Sequence, residues 1–599
     1  MGAYENLQEL KKWMKASDID FFLITSQDYH NSEYVHDHFK AREFFSGFDG
    51  SNGSLVISQS QTGLWTDGRY FLQAQEQLEG SGIDLFKMGN DGVPTILEYL
   101  DEQMKENQVI ATDGRCISFS YGEKLQAICE KKHGRLIYDT DLVSKVWKER
   151  PSLPEQEVWL MGEQFSGEST SSKLNKVRGY LEEKEADYLF ISKLDDIMWL
   201  FNIRGNDVKC NPVALSYTLI GKENIFLYIA DTLTREAREE LIKNHVQVIP
   251  YQDTLLHLHD LDLQDKKVMV DQESISYFFY QELAGKSNLL SDSLPTTRWK
   301  AVKNQVEQQN LREIYIKDSA IVCKFIYWLK NAVKKGEYVT EISAAKYLDR
   351  LRETIPGFLD LSFDTITGYA ENGAIVHYEA TEKTDKRISP EGLLLVDSGG
   401  QYMQGTTDVT RTIAVGKVSE EEKKYFSAGA AGMLKLAECV FLSGCTGRNL
   451  DILAREDLWK LQMDYKHGTG HGVGYCLNVH EGPQRFYWKY GRNVDETVLK
   501  PGMVISDEPG IYIEHKFGIR TENIIMVQPV LENDYGKFLH FEMLTYVPID
   551  KEVLSTKYLT NEDVGRINRY HQEVYEKISP FLTEEEKIWL KNETSPIAE

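Results

Sequence analysis

The sequence predicts an α/β (α+β) protein in which one α/β unit occurs twice and is followed by a larger third domain. Three observations carry this reading. Similar strings recur in the first half of the chain at offsets of 155 to 167 residues. Within each copy, short β-rich apolar runs alternate with helical patterns. Two polar, proline-bearing stretches divide the 599 residues into 1–150, 151–298 and 299–599.

In the first copy the strand-like run from Asp20 to Ser26 (DFFLITS) has its counterpart from Asp187 to Lys193 (DYLFISK). Phe45 to Gly50 (FSGFDG) is answered by Phe201 to Gly205 (FNIRG), and Val109 to Phe119 (VIATDGRCISF) by Val268 to Tyr277 (VMVDQESISY). Pro151 and Pro154 flank the first linker, and Ser291 to Arg298 (SDSLPTTR) forms the second. The third domain opens on a long helical pattern: Leu311, Ile314, Ile321, Phe325 and Trp328 follow a 3,4 spacing, Asp318 is the one polar break, and Gly336 is the stop signal. From about residue 560 the pattern is helical again, with a stripe of Val564, Ile567, Val574, Tyr575 and Ile578. Thr583 with Glu586 then makes a capping box ahead of Ile588, Trp589 and Leu590. Such an apolar tail must dock, either on its own domain or on a second subunit.

Composition excludes several classes of function. Lys and Arg number 68 against 93 Asp and Glu, a net charge of −25, which argues against nucleic acid or an anionic membrane as the main partner. A hydrophobic fraction of 41% with 11% aromatic residues suffices to bury several cores, so wholesale disorder is excluded. Apolar runs such as Leu393 to Val396 are strand-sized, and no membrane span is expected. The N-terminal residues lack the apolar stretch and cleavage site of a secretory signal, and Asn6 breaks the myristoylation pattern that Gly2 would begin. The seven cysteines are scattered and never spaced as CxxC, which reads as free thiols in a reducing cytoplasm.

Carboxylates and histidines concentrate in the third domain. In LLLVDSGGQYMQGTTDVTRTI, a hairpin centred between Tyr402 and Met403 would oppose Asp397 directly to Asp408. Directly opposed residues share a face with Cβ atoms about 5 Å apart, and two carboxylates held that close repel unless a cation lies between them. A surface hairpin could carry such a pair harmlessly, but a second pair follows. In MVISDEPGIYIEHKFGIRTENIIMV, Glu508 and Glu522 are symmetric about His515, which sits in a short polar turn between two β-rich runs. Two hairpins that each offer two carboxylates match two divalent cations.

Histidines complete the set. His467 and His471 in HGTGHGVG have HxxxH spacing, but the glycines between and after them deny the helix that a zincin motif needs, so the segment reads as a loop close to a site. His480 follows in NVHEGP, and His377 lies upstream in NGAIVHYEA. Oxygen and imidazole ligands without a thiolate favour Mn, Co, Fe or Zn in a catalytic rather than a structural role.

Asp397, Asp408, His471, Glu508 and Glu522, with the strings HGTGHGVG, NVHEGP, SDEPG and GIRTEN, resemble the five-ligand dinuclear site of the pita-bread peptidases. FSGFDGSNG and LWTDGRYFLQA near the start and WLKNETSPI at the end extend the resemblance over nearly the whole chain, to the cytosolic three-domain Xaa-Pro aminopeptidases. The resemblance implies creatinase-like domains at 1–150 and 151–298 and a pita-bread catalytic domain with a helical tail at 299–599. It also implies two divalent metal ions, Mn2+ in the first place with Co2+ or Zn2+ as alternatives, and a cytoplasmic homodimer. The implied reaction is release of the N-terminal residue from peptides with proline second, by attack of a dimetal-bridging hydroxide on the Xaa-Pro amide.

Carried to this sequence, the resemblance has Asp397 chelating one metal, Asp408 and Glu522 bridging both, and His471 and Glu508 completing the other shell. Glu508 would shuttle a proton to the leaving nitrogen, His377 and His480 would donate to the substrate carbonyl or oxyanion, and His467 would line the proline pocket. The amide before proline has no N–H, and the ring fixes φ near −65°, so recognition must rest on ring shape and the free amino terminus. Arg69 in WTDGRY and Glu33 in NSEYV match family positions that would shape the entrance, and Arg520 would support the metal carboxylates. The alternatives are a prolidase acting on Xaa-Pro dipeptides and an inactive peptide-binding protein of the same fold. The duplicated front half weighs against the first, and the intact ligand set against the second.

Overall fold

Residues 2–489 and 497–597 are described by a computed structural model, in which the chain falls into two units, Met1–Gly162 with Glu168–Thr296 and Glu163–Gly167 with Thr297–Glu599. The first unit holds two six-stranded sheets. In one, β1 (Phe21–Ile24), β2 (Ser54–Ser58), β3 (Thr62–Thr66), β4 (Asp84–Lys87), β5 (Val109–Thr112) and β6 (Arg135–Ile137) run in the order β4-β3-β2-β1-β5-β6. In the other, β7 (Tyr188–Ile191), β8 (Ser216–Gly221), β9 (Ile225–Ile229), β10 (Val246–Ile249), β11 (Lys267–Val270) and β12 (Asn288–Ser291) run β10-β9-β8-β7-β11-β12, which is the same topology. In both, the first strand pairs antiparallel with the second and parallel with the fifth.

The two copies meet through equivalent residues. Phe119, at the start of α1 (Phe119–Lys131), donates its N–H to the Ile275 carbonyl at 2.8 Å, and Tyr277, at the start of α2 (Tyr277–Ala284), donates to the Ile117 carbonyl at 2.9 Å. Residues 158 positions apart thus exchange matching bonds around a Ser118–Ser276 bridge, a local two-fold relation. Gly122 permits this approach, because a Cβ there would lie 2.2 Å from the Tyr277 ring. Phe119 stacks on Tyr280 with ring centroids 3.4 Å apart, and burial of each such aromatic side chain contributes about 1.5–3 kcal/mol. The FSGFDG and FNIRG strings hold a shared device: Gly47 (φ 72°) and Asn202 (φ 53°) end equivalent helices in the left-handed conformation that these two residue types tolerate best.

In the second unit α3 (Gln305–Lys334) starts at an Asn304–Glu307 capping box. Asp318, the polar break in its stripe, is buried and accepts from Arg352 Nε (2.8 Å), Arg352 Nη2 (3.1 Å) and the Tyr402 hydroxyl (2.7 Å), the partners a buried carboxylate requires. The strands β13 (Ile366–Tyr369), β14 (Leu393–Ser398) and β15 (Val409–Ala414) form an antiparallel sheet. After α4 (Glu420–Ala437) and α5 (Ile452–Lys460) come β16 (Gly470–His471), β17 (Val504–Asp507), β18 (Gly510–Ile513), β19 (Phe517–Arg520), β20 (Asn523–Asn533) and β21 (Gly536–Met543).

One expected register is corrected. β14 and β15 pair with Asp397 opposite Thr410, and at the tip Tyr402 opposes Gly405. The hairpin axis therefore falls between Met403 and Gln404 rather than between Tyr402 and Met403, and Asp408 lies diagonally across from Asp397 instead of directly opposite. The cause is Tyr402. Its ring is wholly buried with the hydroxyl on Asp318, so it belongs to the strand and not to the turn. The other hairpin keeps the expected axis through His515: Asp507 opposes Asn523 and Gly510 opposes Arg520.

The tail docks on its own unit. On α6 (Asn561–Ile578) the residues Val564, Ile567, Val574 and Ile578 are buried, and the Thr583–Glu586 capping box starts α7 (Glu584–Glu593). Leu590 of α7 is buried, whereas Ile588, expected to dock, is 65% exposed. All seven cysteines are free. Among the described residues no helix is long and apolar enough to cross a membrane.

Candidate metal centre

Strand ends of the second unit bring the carboxylates together. Asp397 is the penultimate residue of β14, Asp408 immediately precedes β15, His471 ends β16, Glu508 follows β17 and Glu522 precedes β20. Asp408, His471 and Glu522 each offer one ligand atom, and these atoms lie within 4.8 Å of one another. His471 Nε2 is 3.5 Å from Asp408 Oδ2 and 3.5 Å from Glu508 Oε1. The glycines of HGTGHGVG make this possible: a Cβ on Gly470 would lie 1.7 Å from the Ser506 carbonyl, so only glycine lets β16 press against β17. His471 N–H then donates to Ser506 Oγ at 2.9 Å, and His471 Nδ1 lies 3.0 Å from the Gly472 carbonyl. That last contact places a proton on Nδ1 and turns Nε2 into the cluster.

Without a cation the cluster is electrostatically costly. Burial, reinforced by Asp408, Glu508 and Asp397, pushes the Glu522 carboxyl well above the usual carboxylate range. Burial also raises Asp397, with Arg520 opposing and Asp408 adding, and raises Glu508, with His471 and Arg520 opposing. For His471 burial acts downward, but Asp408 and Glu508 outweigh it and hold the imidazole at about 9. Asp397 Oδ1 and Glu522 Oε1 are fully buried and have no hydrogen-bond partner among the described residues. Orphaned carboxylate oxygens beside a histidine nitrogen, with no thiolate, are the donor set that hard or borderline divalent cations take, so the residues present fit such ions.

The carboxylates are held from behind. Arg520 is buried, donates from Nη2 to Asp397 Oδ2 at 2.7 Å, from Nη1 to the Tyr512 hydroxyl at 2.8 Å and from Nε to Thr410 Oγ1 at 3.2 Å. Thr410 Oγ1 in turn donates to Glu522 Oε2 at 2.7 Å. His467 Nδ1 faces the Gly468 carbonyl at 2.7 Å, which leaves Nε2 to accept from the Tyr512 hydroxyl at 2.9 Å. The His480 ring meets His471 edge to face with centroids 4.2 Å apart. His377 is half-buried in the loop after Ala370–Ala374, and this loop is held by Tyr378, whose hydroxyl donates to Glu341 Oε2 at 3.0 Å. The turn before it, Ala370–Ala374, packs on β19, since a Cβ on Gly518 would lie 1.6 Å from the Gly373 carbonyl.

Arg69 and Glu33 belong to the other unit. Asp67 takes Arg69 Nε at 2.9 Å and Nη2 at 2.8 Å, a bidentate pair, and Glu33 lies near enough to favour the Arg69 charge further. Thr410 and Tyr512 were not among the residues singled out from sequence. Thr410 was within reach, because it shares a strand face with Asp408 two positions earlier. Tyr512 carried no such signal, as its role depends on the fold bringing it to both Arg520 and His467.

The chain matches the creatinase/prolidase N-terminal domain twice, over residues 6–143 and 149–307, then metallopeptidase family M24 over 309–529 and the C-terminal region of that family over 537–597. It is 35% identical to Xaa-Pro aminopeptidase 1 of Dictyostelium discoideum, over 99% of this chain and 96% of that protein. It is 38% identical to a probable Xaa-Pro aminopeptidase P of Neosartorya fischeri, over 99% of this chain and 92% of that protein. Among solved structures, the X-prolyl aminopeptidase of Caenorhabditis elegans, described as a cytosolic enzyme with a di-nuclear active site, superposes with a TM-score of 0.94 at 32% identity over the whole of both chains. With the M24 match over the carboxylate cluster and this full-length similarity, the chain belongs to the Xaa-Pro aminopeptidase family of M24 metallopeptidases, hydrolases with creatinase-type N-terminal domains and a pita-bread catalytic domain.

Proposed function

We propose that this protein removes the N-terminal residue from peptides with proline at position two, using two divalent metal ions, with Mn2+ first among them. The observation that carries the proposal is the cluster of Asp408, His471 and Glu522, with ligand atoms within 4.8 Å, together with two buried carboxylate oxygens that have no hydrogen-bond partner among the described residues. In this reading Asp397, Asp408, His471, Glu508 and Glu522 would together hold the two ions, with Asp408 and Glu522 central to the set and Asp397 on one side of it, His471 and Glu508 on the other. When bound, the ions supply a Lewis acid and lower the pKa of a water held between them.

The chain's own groups do the rest. Arg520 keeps Asp397 Oδ2 occupied and so presents Oδ1 to the site. Glu508, with an oxygen 3.5 Å from His471 Nε2, would shuttle a proton to the departing proline nitrogen, which has no hydrogen of its own. His480 beside His471, and His377 from its loop, are the candidate donors to the scissile carbonyl, and His467 on Tyr512 shapes the wall for the proline ring. Arg69 and Glu33 enter as selectors of the substrate; Asp67 already neutralises Arg69, so Arg69→Ala should raise KM and leave kcat nearly unchanged. The division at 150 and 298, a homodimer and a cytoplasmic location complete the reading.

The deciding experiment is hydrolysis of an Xaa-Pro-Xaa tripeptide beside the matching Xaa-Pro dipeptide, with chelator-treated protein and stepwise return of Mn2+, Co2+ or Zn2+. Release of the first residue from the tripeptide, restored by Mn2+ and weak on the dipeptide, is expected. Activity confined to the dipeptide would move the assignment to a dipeptidase, and none on either with any of the metals would overturn the enzyme reading. Light scattering that finds a strict monomer at micromolar concentration would remove the dimer.

A further inference from the structure

Arg411 lies one residue beyond Thr410 on β15 and is buried on the opposite face. Its guanidinium reaches six acceptors. Nη1 donates to the Thr410 carbonyl at 2.8 Å and to the Glu522 carbonyl at 2.5 Å. Nη2 shares its two hydrogens among Asn523 Oδ1 at 2.7 Å, the Val547 carbonyl at 2.7 Å and the Tyr570 hydroxyl at 2.8 Å, and Nε faces the Pro548 carbonyl at 3.3 Å. Glu522 is therefore gripped twice: Thr410 holds its side chain at Oε2, and Arg411 holds its backbone from behind.

What fixes Arg411 comes from the C-terminal tail. Tyr570 sits on α6, 4% exposed. Its hydroxyl accepts from Arg411 Nη2 and from Val547 N–H at 3.2 Å and donates to the Val547 carbonyl at 2.8 Å, so both lone pairs and the proton are committed. The next residue, His571, accepts the Ile549 N–H at 3.1 Å and pins the same segment without touching Arg411. A planar guanidinium with this many fixed acceptors has one orientation, and each of them helps to set it.

We propose that Tyr570 is a positioning residue of the metal centre: through Arg411 its hydroxyl fixes the backbone at Glu522 and Asn523, which makes the C-terminal helix α6 part of the apparatus that holds the metal and not only a stabilising tail. The proposal rests on the reading of Glu522 as a metal ligand. Substitution of a group bonded directly to a ligand, as Arg411 is to Glu522, lowers metal affinity by roughly 10- to 100-fold, and Tyr570, one bond further out, should fall at the low end of that range.

The test measures Mn2+ binding to the full-length chain, stripped with chelator, by equilibrium dialysis with elemental analysis, together with the kcat and KM of the loaded enzyme and the melting temperature of the metal-free protein. Glu522→Gln tests the underlying reading; if it binds two Mn2+ as tightly as the unaltered protein, Glu522 is no ligand and the inference falls with it. Given a loss there, Tyr570→Phe is expected to need about tenfold more Mn2+ for full occupancy, with a fall in kcat that saturating Mn2+ restores and an unchanged KM. Val574→Ala loosens the same helix away from Arg411 and should lower the melting temperature without moving Mn2+ affinity. Tyr570→Phe binding Mn2+ like the unaltered protein, or Val574→Ala weakening it equally, would overturn the proposal while leaving the ligand reading intact. If Tyr570→Phe does not fold, Arg411→Lys, which keeps the charge but not the fork, decides: unaltered Mn2+ affinity there would sink the proposal.

Discussion

The two carboxylate hairpins differ in how their geometry is encoded. Around His515 a single axis governs every pair from Val504–Met526 to Ile513–Phe517, so Glu508 and Glu522 stand across from each other by continuation of the ladder on both sides. The Asp397–Asp408 hairpin is continuous too, on one axis from Leu393–Ala414 to Tyr402–Gly405, but its aspartates are not symmetric about that axis: Thr410 stands opposite Asp397, two positions beyond Asp408. Its axis is set at the tip by buried Tyr402 on Asp318 and by a two-residue turn before Gly405, and its middle is crowded, with a Cβ on Gly399 placed 2.0 Å from the Thr407 carbonyl. The glutamate pair is symmetric about its axis, and the aspartate pair is offset by two positions because the packing of Tyr402 against α3 sets where its axis falls. A site built from both needs each to hold its register independently.

The strongest way to break this comparison is to remove one carboxylate from each hairpin. Asp408→Asn and Glu522→Gln should each lower kcat/KM on an Xaa-Pro-Xaa tripeptide by about a thousandfold or more, with loss of bound Mn2+, because both residues supply atoms to the same cluster. A large loss in one and full Mn2+ content in the other would show that the hairpins do not serve a common centre. Next in size, Gly399→Ala forces backbone to move in the aspartate hairpin and should destabilise the metal-free protein by about 2–3 kcal/mol in denaturant unfolding. An unchanged midpoint would mean that the hairpin tip tolerates a shift, against the packing argument. Thr410→Val is milder. It removes the hydroxyl that holds Glu522 Oε2 and accepts from Arg520, and should weaken Mn2+ binding by roughly tenfold, read by dialysis, with little change in melting temperature.

How much the sequence revealed follows the same division. The duplication was legible because strand, turn and strand recur as strings, and the bridge between Ser118 and Ser276 lies in one of these pairs, at the 158-residue offset of Asp113 and Asp271. The glutamate hairpin was legible because its turn residues are polar and its flanks apolar. The aspartate hairpin was misplaced by one residue because nothing near Tyr402 records that its hydroxyl is wanted by Asp318, 84 positions away. Arg411 and Tyr512 escaped for the same reason: their partners at Tyr570 and His467 are brought by the fold, 159 and 45 positions distant. Ile588 erred in the other direction, an apolar residue on a helix face that the docked tail leaves to solvent.

The smallest predicted effect sharpens the comparison at the turn itself. His515 is the centre of the glutamate axis and holds a left-handed backbone (φ 59°), which a residue with a Cβ adopts at some cost. Its side chain is 84% exposed, beside Glu514 and near Glu371, so the ring contributes little to packing. His515→Gly therefore relieves the turn while adding freedom to the unfolded chain, two terms of opposite sign that should leave a net change within about 1 kcal/mol. Because the register is held by pairing on both sides of Glu508 and Glu522, Mn2+ affinity and kcat/KM should stay as they are. A substantial loss of either in a folded His515→Gly protein would show that the turn residue sets the axis, and that the glutamate pair depends on its tip as the aspartate pair does.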